Sequence, residues 1–364
     1  MVHSLASELS QLGHDVQVVV SEKGDVSDLP GVVVDECRAV RSKHLHTISQ
    51  ILSGGRQVAT FGPDIVHIHG LGPAIPLAWT RRPFAHRPTI VTAHGLDWKR
   101  DKWSGLAAGA FRAGALRGAN RSEHLTAVAR TNCAQLSAEL RREVEFIPNG
   151  VAAFPDSDCH GIFRSFDLQH GEYSVAISRF TPEKNLEQIV SAYTPEVATR
   201  LGPLLVIGSR TSSYAGKYAE TVLANAGPHV RFVGEQPHAD AMGLLKHAGR
   251  FISMSKLEAQ PLSVLEAMRL GVPLYLSDIA EHQEVTGGHA QWAAVGDTRG
   301  LQELLVNPAA ADIERPLAAA AGEEAAKLTW RAAALAYEAA YQRVLTSVAK
   351  PMVGARSAES DWRT

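Results

Sequence analysis

Apolar residues follow two alternating patterns through the first part of the chain. Val2, Leu5, Leu9 and Leu12 recur at steps of three and four residues, which predicts a helix that ends near Gly13. A β-branched run of strand length follows at 15–20. Further strands are predicted at 31–35, 64–69, 89–93, 123–128 and 144–147, and helical patterns separate most of them. This alternation predicts a parallel α/β sheet with helices on both faces.

A second alternation begins after a break. Residues 152–169 contain Pro155, Gly161 and several polar residues, which is typical of a linker. Beyond it, strands are predicted at 173–177, 204–207, 230–233, 251–254, 274–277 and 291–295, with helices at 184–193, 214–226, 239–247 and 261–270. We therefore predict two Rossmann-like domains, covering 1–155 and 170–325.

An Ala-rich helical pattern covers 322–347. Trp330, Leu335, Tyr337 and Tyr341 would form its buried stripe. Because such a stripe needs an apolar partner, we expect a helix at 326–347 to pack back on the first domain. The polar tail at 351–364 is expected to be disordered.

Composition narrows the class of protein. The chain has 364 residues and a formal net charge of −2, which fits two domains and argues against a nucleic-acid binder. Its three cysteines are far apart, as in proteins of a reducing compartment. No run approaches the roughly 18 apolar residues of a membrane span, and the start does not resemble a signal peptide. We expect a cytoplasmic protein.

Positive charge is concentrated in one region. Residues 79–130 contain ten Lys or Arg and three Asp or Glu. Two interpretations stay open: a solvated, ion-paired face, or a surface for an anionic acceptor or the inner face of a membrane. Tryptophan between cations is typical of the second, and the segment with this composition contains Trp98, Lys99, Arg100, Lys102 and Trp103.

A pair of glutamates brackets a predicted helix start. Glu258 lies on the loop after strand 251–254, where open α/β sheets bind ligands, and Glu266 lies inside the next helix. Near the helix start, Leu262 and Ser263 offer free N–H groups to a phosphate. A nucleotide sugar, with hydroxyls at both ends and phosphate between, fits this pattern. The alternative is an acidic residue beside a helix dipole and an ordinary surface glutamate.

Two cations occupy the turn after strand 173–177. Arg179 and Lys184 could neutralise a diphosphate leaving group, Arg through a bidentate fork and Lys as a point charge. The alternative is a surface turn with ion-paired ends.

Histidines give weaker signals. His94 precedes Gly95 after strand 89–93, where a neutral imidazole could hydrogen-bond a sugar hydroxyl, although a lone histidine is more often structural. His67 and His69 share one face of a strand, but no third metal ligand is spaced nearby, so we predict no metal site. Dinucleotide, Walker and serine-elbow motifs are absent from the sequence, which disfavours hydride transfer and serine hydrolysis.

Taken together, these stretches resemble the family 4 retaining glycosyltransferases of GT-B fold, in which two Rossmann-like domains face each other across a cleft. The matching stretches occur in the family's order at 63–70, 92–98, 147–151, 178–184, 232–234 and 258–268. The resemblance implies sugar transfer from a nucleotide diphosphate sugar to a hydroxyl acceptor, which could be a small molecule, a lipid-linked sugar or a growing glycan. It also implies no metal and no other cofactor.

The resemblance further implies a role for each site residue. Glu258 and His94 would contact the transferred sugar, and Glu266 would bind the nucleotide ribose. Arg179 and Lys184 would bind the diphosphate. Attack would come from the front face, and the leaving phosphate oxygen would take the acceptor proton.

Three departures from the family keep other functions open. Ala259-Gln260-Pro261 replaces the usual glycines after the first glutamate, and Pro261 has no N–H for a phosphate. Ala152 replaces the Asp that commonly follows Asn-Gly-Val. The chain also begins inside the family's first helix. The alternatives are a nucleotide-sugar epimerase and a non-catalytic nucleotide-sugar-binding subunit.

The chain's start leads to a specific expectation. In the strand order 3-2-1-4-5-6 the first strand is central, and here strand 15–20 would be strand two and strand 64–69 strand four. We therefore expect a gap between them, with the native start upstream or the gap bridged by another strand. As written, the chain should show weak transferase activity and a loosened first domain.

Overall fold

The chain was analysed as a computed structural model, which describes residues 1–21, 29–40, 46–99, 105–152, 154, 163, 165–209 and 216–349. Most of the predicted linker and the whole predicted tail lie outside these residues. The strands within the described part are β1 Val16–Val20, β2 Val32–Glu36, β3 Val66–His69, β4 Thr89–Ala93, β5 His124–Ala127, β6 Glu145–Phe146, β7 Ser174–Ile177, β8 Leu204–Ile207, β9 Val230–Gly234, β10 Arg250–Ser253, β11 Leu274–Ser277 and β12 Gln291–Ala293.

These strands form three sheets. The largest has six strands in the order β12-β11-β10-β7-β8-β9, and all of its pairings are parallel. A four-stranded sheet has the order β3-β4-β5-β6, and β3 and β4 are parallel. The α/β class with parallel sheets predicted from the sequence is confirmed.

The third sheet contains only β1 and β2, which are parallel. Within the described residues, β1 shares no ladder with β3, and the two strands belong to different sheets. A direct ladder between them would have contradicted the expected interruption at this point.

The helices in the described part of the chain are α1 Val2–Gln11, α2 His46–Phe61, α3 Gly105–Asn120, α4 Arg130–Leu140, α5 Leu186–Ala192, α6 Pro195–Leu201, α7 Gly216–Asn225, α8 His238–Lys246, α9 Leu262–Arg269, α10 Ala280–Thr286, α11 Thr298–Val306, α12 Ala311–Lys327 and α13 Trp330–Ala349. Of these, α2 to α10 connect successive strands, whereas α1 precedes β1 and α11 to α13 follow β12.

The helix expected at 326–347 corresponds to α13, but the helical pattern at 322–347 is not continuous, because the chain forms α12 and α13 with a break at Leu328 and Thr329. The Leu328 carbonyl accepts a hydrogen bond from the Val151 N–H at 2.8 Å instead of continuing the helix. The Thr329 hydroxyl then accepts from the Ala332 N–H at 3.1 Å, which is the bond of a threonine N-cap. A tertiary bond and a local cap therefore override the continuous alanine-rich propensity.

Strand β8 of the six-stranded sheet is buried on both faces, and all four of its residues are apolar. Alternate residues enter two separate cores, with Leu205 and Ile207 on one face and Leu204 and Val206 on the other. At about 25 cal/mol per Å² of apolar surface, each such side chain contributes roughly 1.5–3 kcal/mol when fully buried.

The chain divides into two compact units. Unit 1 contains Met1, 93–113 and 127–333, and unit 2 contains 2–92, 114–126 and the described residues from 334 onward. The six-stranded sheet and the loops at its carboxyl edge lie in unit 1.

Candidate functional site

One cavity of about 320 Å³ lies in unit 1, at the carboxyl ends of adjacent parallel strands. The segment 177–184 follows β7, and the segment 257–263 follows β10, which pairs with β7. Because carboxyl ends of parallel strands meet at one sheet edge, two distant segments come together there. Six of the seven predicted site residues line this cavity: His94, Arg179, Lys184, Glu258, Leu262 and Ser263.

Lys184 and Glu258 form the ion pair at the centre of this wall. The Lys184 Nζ lies 2.5 Å from the Glu258 Oε1, and the two side chains are 17% and 10% exposed. Burial alone would raise the pKa of Glu258, but the Lys184 charge and hydrogen bonds from Lys184 and Ser255 outweigh burial, so this pKa lies below its ordinary value. Glu258 is therefore ionised near neutral pH.

The loop that carries Lys184 ends at Asn185, whose backbone is in the left-handed conformation. Pro182–Lys184 form one 3₁₀ turn, and Asn185 takes a positive φ of 54° before α5 begins. The Asn185 amide donates to Gln188 at 2.5 Å, and both residues are buried. Asparagine tolerates this backbone region better than most residues, which explains its place after the lysine.

Two loops at this edge are also joined through their backbones. The Lys256 N–H donates to the Glu183 carbonyl at 2.8 Å, and the Lys256 ammonium lies 3.0 Å from Glu187. The backbone bond fixes the β7 loop against the β10 loop, so Lys184 and Glu258 meet in a defined geometry.

Buried polar residues form a hydrogen-bonded chain that reaches Glu258 through Ser255. The Ser277 hydroxyl donates to the Ser255 carbonyl at 2.7 Å, and His282 Nδ1 lies 3.0 Å from the Ser277 carbonyl. Since that carbonyl can only accept, Nδ1 carries the proton. The Nε2 of His282 is buried and has no hydrogen-bond partner in the described structure, and burial lowers the pKa of this imidazole, so it is neutral.

Arg179 is the exposed cation of the cavity. It lies two residues beyond β7, and its guanidinium makes no ion pair with the described residues. Its charge is therefore available to a ligand, whereas that of Lys184 is already shared with Glu258.

Helix α9 begins at the cavity wall. Pro261 is its N-cap, and Leu262 is its first helical residue. N–H groups in the first turn have no acceptor within a helix, so those of Leu262 and Ser263 are free to bind an anion. Pro261 itself contributes no N–H.

His94 follows β4, and its imidazole lines the cavity. Burial lowers the pKa of His94 to about 4, so the ring is neutral at pH 7. The next residue, Gly95, has a positive φ of 132°, which suits glycine and turns the chain sharply after the strand.

Glu266 is not among the residues that line the cavity. It lies within α9, and its Oε1 is 3.0 Å from His238 Nε2 on α8. The hydrogen bond to Glu266 raises the pKa of His238, although burial opposes the shift. No sequence pattern indicated this pairing.

The paired histidines of β3 form a hydrogen-bonded cluster. His67 Nδ1 lies 2.8 Å from the Tyr341 hydroxyl, and Nε2 lies 2.7 Å from the Thr92 hydroxyl. Both ring nitrogens are thus engaged, and the His69 ring stacks on His67 at 4.0 Å. The described residues contain no group of three or more potential metal-ligating side chains.

The basic segment is only partly described. Trp98 and Lys99 lie within the structure, where Arg112 stands over the Trp98 ring at 5.9 Å and Lys99 bonds Gln135 at 2.7 Å. Arg100, Lys102 and Trp103 lie outside the described residues. No helix in the described part of the chain has an apolar stretch long enough to cross a bilayer.

Comparison with known families agrees with this geometry. The domain model described as Glycosyltransferase Family 4 matches residues 1–153, and the one described as Glycosyl transferases group 1 matches residues 172–309. The chain belongs to the family 4-type glycosyltransferases.

Individual relatives of this glycosyltransferase are distant in sequence. It is 24% identical over 198 residues to O-antigen chain mannosyltransferase B of Escherichia coli, a match of 54% of this chain and 51% of that protein. The chain thus aligns with about half the length of this curated relative.

Solved structures resemble the glycosyltransferase over almost its whole length. Sucrose-phosphate synthase from Thermosynechococcus elongatus has a TM-score of 0.79 at 19% identity, covering 95% of this chain and 93% of that one. HepE from Anabaena, solved in complex with UDP and glucose, has a TM-score of 0.75 at 14% identity, covering 94% and 95%. These likenesses establish the GT-B fold.

Sequence reasoning missed three residues at this site: Gln260, His238 and His282. Gln260 and His238 act through partners that are distant in the chain, Asn149 and Glu266, and His282 acts through Ser277. No periodicity or spacing marks such pairs, so only the folded structure identifies them.

Proposed function

We propose that this glycosyltransferase moves a sugar from a nucleotide diphosphate sugar to a hydroxyl acceptor, with retention of the anomeric configuration. The observation that carries the proposal is the Lys184–Glu258 pair, at 2.5 Å, in the cavity that Arg179 and the start of α9 also line. Cations, free N–H groups and an ionised carboxylate then face one small space.

Each group in the cavity suits one part of the donor. Arg179 and Lys184 bind the diphosphate and stabilise the charge that develops on it as it leaves. The N–H groups of Leu262 and Ser263 add donors to the same phosphates. Glu258 accepts hydrogen bonds from sugar hydroxyls, and Glu266 accepts them from the ribose.

His94 belongs to the sugar end of this site. As a neutral imidazole it can donate to, or accept from, a sugar hydroxyl without adding positive charge. The leaving phosphate would otherwise compete for a charged ring.

We propose that retention comes from attack on the same face of the sugar rather than from a covalent intermediate on Glu258. Its oxygens are held by Lys184 and Ser255, so a covalent glycosyl intermediate on this carboxylate is disfavoured. The anomeric C–O bond breaks with its electron pair on the leaving phosphate. The acceptor oxygen forms the new bond on the same face, and its proton passes to the phosphate oxygen.

Donor binding should reside in residues 170–325 and need no divalent metal, because two side-chain cations replace it. The test is release of nucleoside diphosphate from UDP-, GDP- and dTDP-sugars, GDP-mannose included, by the purified full chain. Turnover should be equal in EDTA and in magnesium. Loss in EDTA with recovery in magnesium would contradict metal independence.

The same assay separates the alternative functions. A transferase hydrolyses donor slowly and speeds up with an acceptor alcohol, while an epimerase converts the sugar and releases no nucleoside diphosphate. A non-catalytic subunit binds donor without consuming it.

For the acceptor side we propose residues 1–155, with the C-terminal helix packed on that domain and a lipid-linked acceptor met at an anionic membrane surface. One large apolar side chain of unit 1 in the basic region faces solvent, Leu106 at 95% exposure. Lys99 lies in the same unit, so this part of the chain combines apolar and cationic groups, which is typical of interfacial segments. Co-sedimentation with liposomes should rise with the fraction of anionic lipid, and equal binding at all lipid compositions would contradict this contact.

A further inference from the structure

Gln260 links two loops of unit 1 through one half of its amide. Its Oε1 accepts a hydrogen bond from the Asn149 backbone N–H at 2.5 Å, and both residues line the cavity. Because a backbone N–H can only donate, the atom it meets must be the amide oxygen. The orientation of the Gln260 side chain is therefore fixed by chemistry.

The other half of the amide carries two N–H donors. Within the described residues, Gln260 Nε2 makes no hydrogen bond, and the side chain is only partly buried. Its donors therefore remain for a ligand in the cavity.

The neighbouring residues indicate which part of a ligand would meet them. Gln260 lies between Glu258, which we assign to the donor sugar, and the start of α9, whose N–H groups we assign to phosphate. Pro261, between Gln260 and that helix, offers no N–H. A side-chain amide at 260 places a donor next to the position where the backbone lacks one.

Charge in the cavity favours an additional donor at this place. Lys184 already shares its charge with Glu258 at 2.5 Å, so Arg179 is the cation left without a carboxylate partner among the described lining residues. An amide donor beside Arg179 and the first turn of α9 would add a further hydrogen bond to a ligand with two phosphates.

Resting on the proposed function, we propose that the Nε2 amide of Gln260 donates a hydrogen bond to the phosphate that carries the sugar. Gln260 then has two roles: its oxygen holds the loop to Asn149, and its nitrogen binds the donor's terminal phosphate. Glutamine is suited to both, since a single amide has an acceptor and a donor on opposite sides.

Two variants separate these roles. Gln260→Glu keeps the oxygen that accepts from Asn149 and removes the N–H donors. Gln260→Leu removes both. Gln236→Leu is the matched control, because the Gln236 amide is likewise bonded to the backbone of unit 1, donating to the Val233 carbonyl at 2.6 Å, but does not line the cavity.

The measurement is calorimetric binding of UDP, GDP and dTDP, each beside its monophosphate UMP, GMP or dTMP, to the full chain. Gln260→Leu should weaken diphosphate binding about ten-fold or more and change monophosphate binding less than about two-fold, as expected for one lost bond to a charged group. Gln260→Glu should weaken diphosphate binding further, because a carboxylate repels phosphate, while its thermal midpoint stays near that of the wild type. Gln236→Leu should bind like the wild type.

Several results would overturn the inference. Gln260→Leu could bind the diphosphates as tightly as the wild type, or it could weaken both nucleotide classes equally, which would leave the loop bond as the residue's one role. In either case the proposed function stands, because the wild type still binds a diphosphate. If the wild type binds none of the three diphosphates, the proposed function fails and this inference with it.

Discussion

Two polar networks lie near the carboxyl ends of parallel strands, and they differ in what they leave unsatisfied. In the cavity of unit 1, Arg179 and the Gln260 Nε2 have no partner in the described structure. The second set, which we call the His67 network, bonds to itself. Its members are His67, Thr92, Thr126, Tyr337 and Tyr341.

The members of the His67 network are hydrogen-bonded to one another. Thr92 bonds Thr126 at 2.6 Å and Tyr337 at 3.2 Å, while His67 bonds Thr92 and Tyr341. The two tyrosines come from α13, which therefore covers this end of the strands. A network that satisfies its own donors stabilises a fold, whereas one with surplus donors and charge is suited to bind an anion. Position at the strand ends does not by itself identify a binding site.

The largest expected effect is on the charged network. Lys184→Met should lower turnover of the donor by about 10²–10³, because one lost contact to a developing charge costs roughly 2.7–4 kcal/mol. Arg179→Ala should act in the same direction. Steady-state release of nucleoside diphosphate measures both.

Lys256→Met is the matched control for this prediction. Lys256 also pairs with a glutamate at the same sheet edge, at 3.0 Å, but it is 42% exposed and does not line the cavity. Its loss should change turnover less than about two-fold, as for an exposed ion pair. Unchanged kinetics in both the Lys184 and Arg179 variants would remove the diphosphate assignment.

The next effect concerns stability at acid pH. Burial lowers the pKa of His94 to about 4, below the ordinary histidine value near 6.5. Since the unfolded chain then binds a proton more readily than the folded one, His94 destabilises the fold progressively as pH falls from about 6.5 to 4. The resulting loss in free energy of unfolding is roughly 3 kcal/mol at most.

His94→Gln lacks this titration. As pH falls through this window, the variant should therefore lose less free energy of unfolding than the wild type does. Above pH 7 the difference between the two proteins should be constant. Urea melts of both proteins at several pH values measure it. A difference that does not vary with pH would show that His94 titrates normally.

A smaller and purely structural effect is expected in the His67 network. Tyr341→Phe removes the hydroxyl that lies 2.8 Å from His67 Nδ1, and burial raises the pKa of Tyr341, so this hydroxyl is neutral. The free energy of unfolding should fall by about 1–2 kcal/mol, with nucleoside diphosphate binding unchanged. Leu335→Ala, at a position 45% exposed on the same helix, should lower the free energy of unfolding by much less. A changed affinity for nucleotide in Tyr341→Phe would break the distinction between the two networks.

The sequence predicted the charged site better than the His67 network, for a physical reason. Arg179, Lys184 and Glu258 each follow a buried apolar run, and the rule that parallel strands align their carboxyl ends brings these residues together. The strand bounds shifted by one or two residues, as for β10 at 250–253 instead of 251–254, because a ladder ends where its hydrogen bonds end.

Contacts between distant side chains escaped prediction. The break between α12 and α13 depends on a bond from Val151, and the His67 network depends on tyrosines more than 200 residues away in the chain. The same holds for Gln260 with Asn149 and for Glu266 with His238. Such pairs leave no local pattern. The Ala-rich sequence even indicated one continuous helix where the chain forms two.

The smallest expected effect lies at the edge of the charged site. His238 bonds Glu266 at 3.0 Å, and this bond raises the pKa of His238 above its ordinary value. If Glu266 binds ribose, a protonated His238 competes with the ribose for the same carboxylate. Nucleoside diphosphate affinity of the wild type should therefore rise by about two- to five-fold as pH increases through the His238 titration. This small range reflects the 65% exposure of the histidine, since solvent screens the pair.

Two variants test this competition. His238→Gln keeps a neutral donor to Glu266 without a titrating charge, so its affinity for nucleoside diphosphate should vary less with pH. His238→Ala should bind nucleoside diphosphate at least as tightly as the wild type at pH 6. Calorimetric titrations at pH 6 and pH 8 compare the three proteins. Weaker binding by His238→Ala at both pH values would mean that the histidine supports Glu266 rather than competing for it, and the edge of the site would then belong with the structural network.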